Sequence, residues 1–65
     1  MILVQGFEAV VLENCDTFET NGSSIEFWRN EEMIQMFEYS SQVAAEEAFN
    51  RICNAYGAGV KMLSV

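Results

Sequence analysis

Two cysteines, ten carboxylates and a tryptophan beside an arginine are the groups in this 65-residue chain with chemical potential. A nucleophile needs a base within reach, and a metal needs several ligands at suitable spacing. The chain has no histidine. That removes the commonest general base, the Ser-His-Asp and Cys-His arrangements, and the commonest metal ligand. Cys15 and Cys53 stand 38 positions apart, a spacing that makes no zinc site. Cys15 falls at a strand end, with no adjacent base or cation to lower its pKa. Cys53 is expected on a helix among apolar neighbours, in the core. Both read as reduced thiols. Glu31-Glu32 and Glu46-Glu47 are adjacent pairs, and adjacent side chains do not face each other, so neither forms an acid/base dyad. Asp16, Glu31 and Glu32 do not follow the spacing of an EF-hand-like loop. "GAG" at 57–59 follows a helical stretch instead of opening one, so it is no phosphate cradle. The expectation is a non-catalytic chain without cofactor or metal.

The remaining cluster is "FWRN". Trp28 joins a large rigid aromatic to the planar cation of Arg29, and these residue types most often anchor protein interfaces. They also sandwich bases and nucleotide rings. The plainer alternative has Trp28 in the core and Arg29 paired with Glu31 or Glu32 at the surface. The interaction candidates are Trp28, Arg29, Met33, Phe37 and Tyr39.

The elements that must position these groups follow from pattern. "ILV" and "EAVVLE" read as strands, with "QGF" between them as a bend, a bulge or a tight turn. "ENCD" is turn-like, "TFET" is a short strand, and Asn21-Gly22 suits a type I′ hairpin turn. "SIEFWR" and "MIQMFEY" are strands joined through the polar "NEE". Ser40 and Ser41 are natural N-caps, and the acidic Glu46 and Glu47 favour an early helical position. Ala45, Ala48, Phe49, Ile52 and Tyr56 recur at three- and four-residue spacing as one apolar stripe, edged by Ala44 and Cys53. Glu47 and Arg51 are four apart in the favourable order. Gly57 is the expected C′ residue of a helix of roughly 15 residues, and "VKMLSV" is a closing strand. The fold class is α+β: one strongly twisted antiparallel sheet of four to five strands, one helix on one face, and a short C-terminal strand.

The strands raise a packing question. With Arg29 opposite Ile34, one face of the hairpin carries Ile25, Phe27, Ile34 and Met36. The other carries Trp28, Met33, Phe37 and Tyr39. A sheet with one solvated face normally alternates apolar and polar residues. One helix covers one face, so the second must curl on itself or meet a partner.

Composition sets the remaining bounds. The chain is 51% apolar and 20% charged, which suits a folded domain spanning 1–65. At this length folding buries only about 60% of the unfolded surface, so self-association is a common supplement. A net charge of −7, with Arg29, Arg51 and Lys61 as the only basic side chains, repels nucleic acid and anionic lipid. It is compatible with a basic protein partner. "MILVQGFEAVVLEN" has no basic leader, and no stretch approaches about 18 apolar residues. A cytoplasmic location is expected.

The order "AVVLENCDTFET", hairpin, "MFEYSSQVAAEEAFNRICNAYGAG" and "VKMLSV" resembles a group of very small proteins from phages and mobile elements of Gram-positive bacteria. Leu12-Glu13-Asn14, Phe18, Tyr39, Ser41, Ala48 and Ile52 occupy the matching places. The chain departs from the pattern at "FEY", where those proteins often carry a glycine. The resemblance implies an accessory, non-catalytic role and transfers no functional residue.

Three functions follow as expectations. The first is a protein-interaction module that self-associates through its second sheet face and binds another protein. The second is an acidic, DNA-mimicking or anti-defence inhibitor of a host nucleic-acid-binding protein, which requires its scattered carboxylates to gather on one surface. The third is an oligomer that sequesters a small nucleotide near Trp28 and Arg29.

Overall fold

A computed structural model describes all residues, 1–65. It contains six strands, one helix and one short 3₁₀ turn: β1 (Ile2–Gln5), β2 (Glu8–Val11), the turn Leu12–Asn14, β3 (Thr17–Asn21), β4 (Ser24–Arg29), β5 (Glu32–Glu38), α1 (Gln42–Gly57) and β6 (Met62–Ser64). The α+β class holds, but the sheet expectation needs correction. There are two three-stranded sheets, ordered β2-β1-β6 and β3-β4-β5. The closing strand β6 runs parallel to β1, with Leu63 opposite Leu3. A strand of three residues carries no pattern that distinguishes parallel from antiparallel pairing; that choice is made when the chain returns from α1.

Three tight turns set the registers. Gly6-Phe7 is a two-residue hairpin loop between the paired residues Gln5 and Glu8, with Gly6 at φ +59°. The next loop is Gly22-Ser23, between the paired residues Asn21 and Ser24. Gly22 at φ +60° supplies the positive angle at the first loop position, as a type II′ turn requires. The expected type I′ turn on Asn21-Gly22 therefore moves on by one residue.

A loop with both central residues at positive φ lies elsewhere, at Asn30 (+52°) and Glu31 (+66°), between Arg29 and Glu32. Its Asn30 amide donates to the Asp16 carboxylate at 2.7 Å, which anchors the turn from outside. Asparagine tolerates this region, whereas glutamate is strained there by roughly 1–2 kcal/mol. Glu31→Gly is expected to stabilise the fold by about 1 kcal/mol, net of the entropy that glycine loses. For a domain this small that corresponds to a rise in Tm of about 4–8 °C, readable in a thermal melt by circular dichroism.

Because the "NEE" loop takes only two residues, the β4–β5 register differs from the expected one. Ile25 pairs with Phe37, Phe27 with Gln35, and Trp28 with Met33. The shift between the last two pairs leaves Ile34 as the extra residue of a bulge. A one-residue slip exchanges the faces of a strand. Phe37 thereby joins Ile25 and Phe27 on the inner face, and Met36 turns outward.

The core is a single cluster drawn from every layer: Leu3 and Val10, Leu12 from the 3₁₀ turn, Ile25, Phe27 and Phe37, and Ala45, Ala48 and Ile52 from the helix. An aromatic row crosses it from helix to sheet edge. Phe49 meets Phe18 at 5.0 Å, Phe18 stacks on Phe27 at 5.8 Å, and Phe27 meets Phe37 edge-on at 5.2 Å. Each such pair adds about 0.5–1.5 kcal/mol beyond area burial. The inner faces of both sheets and the helix thus close on one another. The second sheet shares the inner side with the helix, so the outer faces of both sheets keep exposed apolar side chains, Met33 on one and Ile2, Val11 and Met62 on the other.

Helix α1 starts where expected. Ser41 is extended at φ −156°, and its Oγ accepts from the Ala44 amide at 3.1 Å. The end differs. The left-handed residue is Gly59 at φ +75°. Gly59 donates to the Tyr56 carbonyl and Val60 to the Ala55 carbonyl, at 3.1 and 3.0 Å, the paired bonds of a Schellman cap. Gly57 lies within the helix. Cys53 and Tyr56, expected in the apolar stripe, are exposed, because the inward face narrows to Ala45, Ala48 and Ile52. Glu47 and Arg51 form no ion pair within 4 Å; the one in the structure joins the Met1 α-amino group to Glu13. No helix is long and apolar enough to cross a membrane.

Candidate functional site

The five interaction candidates are divided by the fold. Trp28 and Met33 lie directly opposite each other on the outer face of β4 and β5. Trp28 is half-buried and Met33 exposed. Arg29, the next residue, belongs to the other side of the strand, opposite Glu32, and it makes no ion pair. Phe37 is fully buried in the core. Tyr39 packs against that core, and burial pushes its hydroxyl above the ordinary pKa although nearby Arg51 acts the other way. Phe37 and Tyr39 therefore leave the outer face, which the one-residue change in register explains.

The outer face of β3-β4-β5 follows from the pairing. Thr17, Trp28 and Met33 lie in one row, Glu19, Glu26 and Met36 in the next, and Asn21, Ser24 and Glu38 in the third. Met36, which the expected register grouped with Ile25, Phe27 and Ile34, is on this outer face and half-buried. Glu19 and Glu26 stand directly opposite, a like-charge pairing that disfavours the sheet. Asn21 Nδ2 donates to Glu26 at 3.0 Å and partly offsets it. At the Trp28 end, Asp16, Thr17, Glu19, Trp28 and Glu31 line a groove of about 480 Å³. The Trp28 Nε1–H is shielded from solvent and has no acceptor. Glu26, Glu38 and the three groove carboxylates thus surround one indole and two methionines. No sequence period announces this gathering; it needs the register and the turn.

The outer face of β2-β1-β6 is its opposite in character. Val11, Ile2 and Met62 form one row and Ala9, Val4 and Ser64 the other. None of the six is charged. Ile2 is 37% exposed, Val11 39% and Met62 61%. Val10 faces the core while Ala9 and Val11 face outward, and β6 completes the outer rows. Phe7, at the tip of the β1–β2 hairpin, is fully exposed.

The free edge of β5 is closed by side chains instead of a strand. Gln5 Nε2 donates to the Glu38 carbonyl at 2.9 Å. Gln35 Nε2 donates to Glu8 at 2.8 Å and to the Met36 carbonyl at 3.2 Å. This amide seam ties the first hairpin to β5 and occupies carbonyls that a foreign strand would otherwise use.

No family model, curated protein or solved structure matches the chain. Its chemistry must be read from its own residues.

The two cysteines, distant in sequence, line one cavity of about 560 Å³ together with Leu12, Phe18 and Tyr56. Burial, reinforced by Asp16, pushes the Cys15 thiol above its ordinary value. At neutral pH it is protonated, the form that is a poor nucleophile. Cys53 is exposed and free. The Met1 amine donates to Glu13 and holds that carboxyl below its ordinary value. No three of the Cys, Asp and Glu side chains converge in a metal-ligating group.

Proposed function

We propose that the chain is a non-catalytic protein-interaction module that self-associates through the outer face of β2-β1-β6. The observation that carries this reading is the pair of uncharged rows, Val11-Ile2-Met62 and Ala9-Val4-Ser64, on a chain of net charge −7. Two copies meeting elsewhere bring carboxylates together, whereas this face apposes only apolar and hydroxyl groups. Burial of such a face contributes about 25 cal/mol for each Å² removed from water. The accessory role in a phage or mobile element rests on the order of motifs described above.

The acidic-inhibitor reading keeps specific support, because Asp16, Glu19, Glu26, Glu31 and Glu38 gather on and around one sheet face. Nucleotide sequestration draws less. Trp28 stands among carboxylates that repel phosphate, and Arg29 belongs to the opposite side of its strand.

Light scattering coupled to size exclusion tests the leading reading. The chain is expected to run at twice its 7.3 kDa mass or more. Val11→Lys, at an exposed edge-strand position, is expected to run as a folded monomer. Its association should weaken at least about tenfold, or roughly 1.4 kcal/mol. A wild-type chain that stays monomeric at concentrations where circular dichroism shows it folded defeats the proposal.

A further inference from the structure

We infer that the outer face of β3-β4-β5 docks a cationic segment of another protein, with arginine or lysine stems laid along Trp28, Met33 and Met36. This surface is distinct from the self-association face, and the inference stands or falls separately from it.

Three observations lead there. The centre of the face is an apolar strip, with Trp28 opposite Met33 across the ladder and Met36 in the neighbouring row. Tryptophan is the residue type that most often dominates binding energy, and methionine adapts its shape to varied partners. An aromatic face also attracts a guanidinium or ammonium placed over it.

Around the strip stand Glu19, Glu26 and Glu38, with Asp16 and Glu31 at the groove. None is in an ion pair, since the only one in the molecule is between Met1 and Glu13. Arg29 belongs to the far side of β4, Arg51 lies on α1, and Lys61 precedes β6. No cation of the chain forms an ion pair with a carboxylate of this face.

The third observation is a cost. Glu19 and Glu26 directly opposite one another destabilise the free sheet. A cationic partner relieves that repulsion on binding. Complementary charge also speeds encounter. Nucleic acid and anionic lipid carry the wrong sign, so the partner is a protein segment combining positive charge with aliphatic stems.

Trp28 is the only tryptophan, so its emission reports on the face directly. The intact chain is titrated with an eight-residue peptide alternating arginine and leucine, and separately with one alternating glutamate and leucine. The basic peptide is expected to change Trp28 emission saturably, with affinity falling at least about tenfold between 50 and 300 mM salt, as a multi-contact ionic interface does. The acidic peptide should leave the emission unchanged. The double variant E19Q/E26Q should weaken the basic peptide at least about tenfold. E46Q/E47Q, which removes the same charge from the helix, should alter affinity less than about twofold. Val11→Lys should bind as the wild type does, even where it abolishes self-association.

Equal weakening by the helix and sheet pairs shows attraction to net charge alone and overturns the inference. So does saturable binding without a change in Trp28 emission, or equal binding of the acidic peptide. A folded E19Q/E26Q chain, checked by circular dichroism, that binds at wild-type affinity overturns it as well.

Discussion

Phe37→Ala is expected to lower the free energy of unfolding by about 3–5 kcal/mol, as large aromatic truncations in cores do. The side chain is fully buried, and its ring meets Phe27 edge-on at 5.2 Å, at the end of the aromatic row that begins on the helix. Truncation removes that contact and leaves a void beside Ile25 and Phe27, which the β4 ladder holds in place. A domain this small holds only a few kcal/mol in reserve, so much of the population should unfold at room temperature. Met33→Ala, on the outer face, should cost less than about 1 kcal/mol. Urea unfolding followed by far-ultraviolet circular dichroism measures both. Comparable losses at the two positions refute the register and return Phe37 to the surface.

Leu3→Ala carries the second large effect, about 2–5 kcal/mol. Leu3 is fully buried at the centre of β1, flanked across its ladders by Val10 and Leu63. It belongs to the same cluster as Ile25, Phe27 and Ile52. The sharper outcome concerns which probe moves. Trp28 lies in the other sheet. If both sheets share one cooperative core, Leu3→Ala shifts the Trp28 fluorescence transition and the circular dichroism transition by the same amount. If β2-β1-β6 opens on its own, the dichroism change shifts while the Trp28 transition stays put. Coincident shifts are expected, because no other buried layer separates the sheets.

These two experiments address the point at which local pattern stops informing. The helix was legible because three- and four-residue spacing and a serine cap are local signals, and Ser41, Ala45, Ala48 and Ile52 behave accordingly. Strands were legible where β-branched and aromatic residues cluster, and the Gly22 hairpin announced itself through its turn residues. The Asn30-Glu31 turn gave no such notice. Glutamate at positive φ is disfavoured locally, and the turn is anchored through its neighbour Asn30, whose backbone amide donates to Asp16, fourteen positions before it in sequence. The hidden turn moves the partner of Arg29 by two residues, from Ile34 to Glu32, which keeps the faces. The bulge at Ile34 adds the odd residue, and without it Phe37 and Tyr39 were assigned to the same face as Trp28.

The candidate site was legible in its residue types but not in its grouping. Trp28 and Met33 were singled out, and the pairing keeps them together. Met36 joined them only through the Ile34 bulge. The carboxylates at Asp16, Glu19, Glu26, Glu31 and Glu38 are scattered along the chain, and cross-strand pairing is what brings them to one face. The uncharged face likewise required β6 to return alongside β1, a pairing between opposite ends of the chain.

From the residues alone came the class of fold, the helix and its start, the acidic balance and the absence of imidazole chemistry. These depend on composition and on periods spanning a few positions. Tertiary structure alone decided the division into two sheets, the parallel closing strand, the inward turn of Phe37 and the separation of one acidic face from one neutral face. Those features are set by contacts between distant segments, where a single residue of register reverses which side chains meet water.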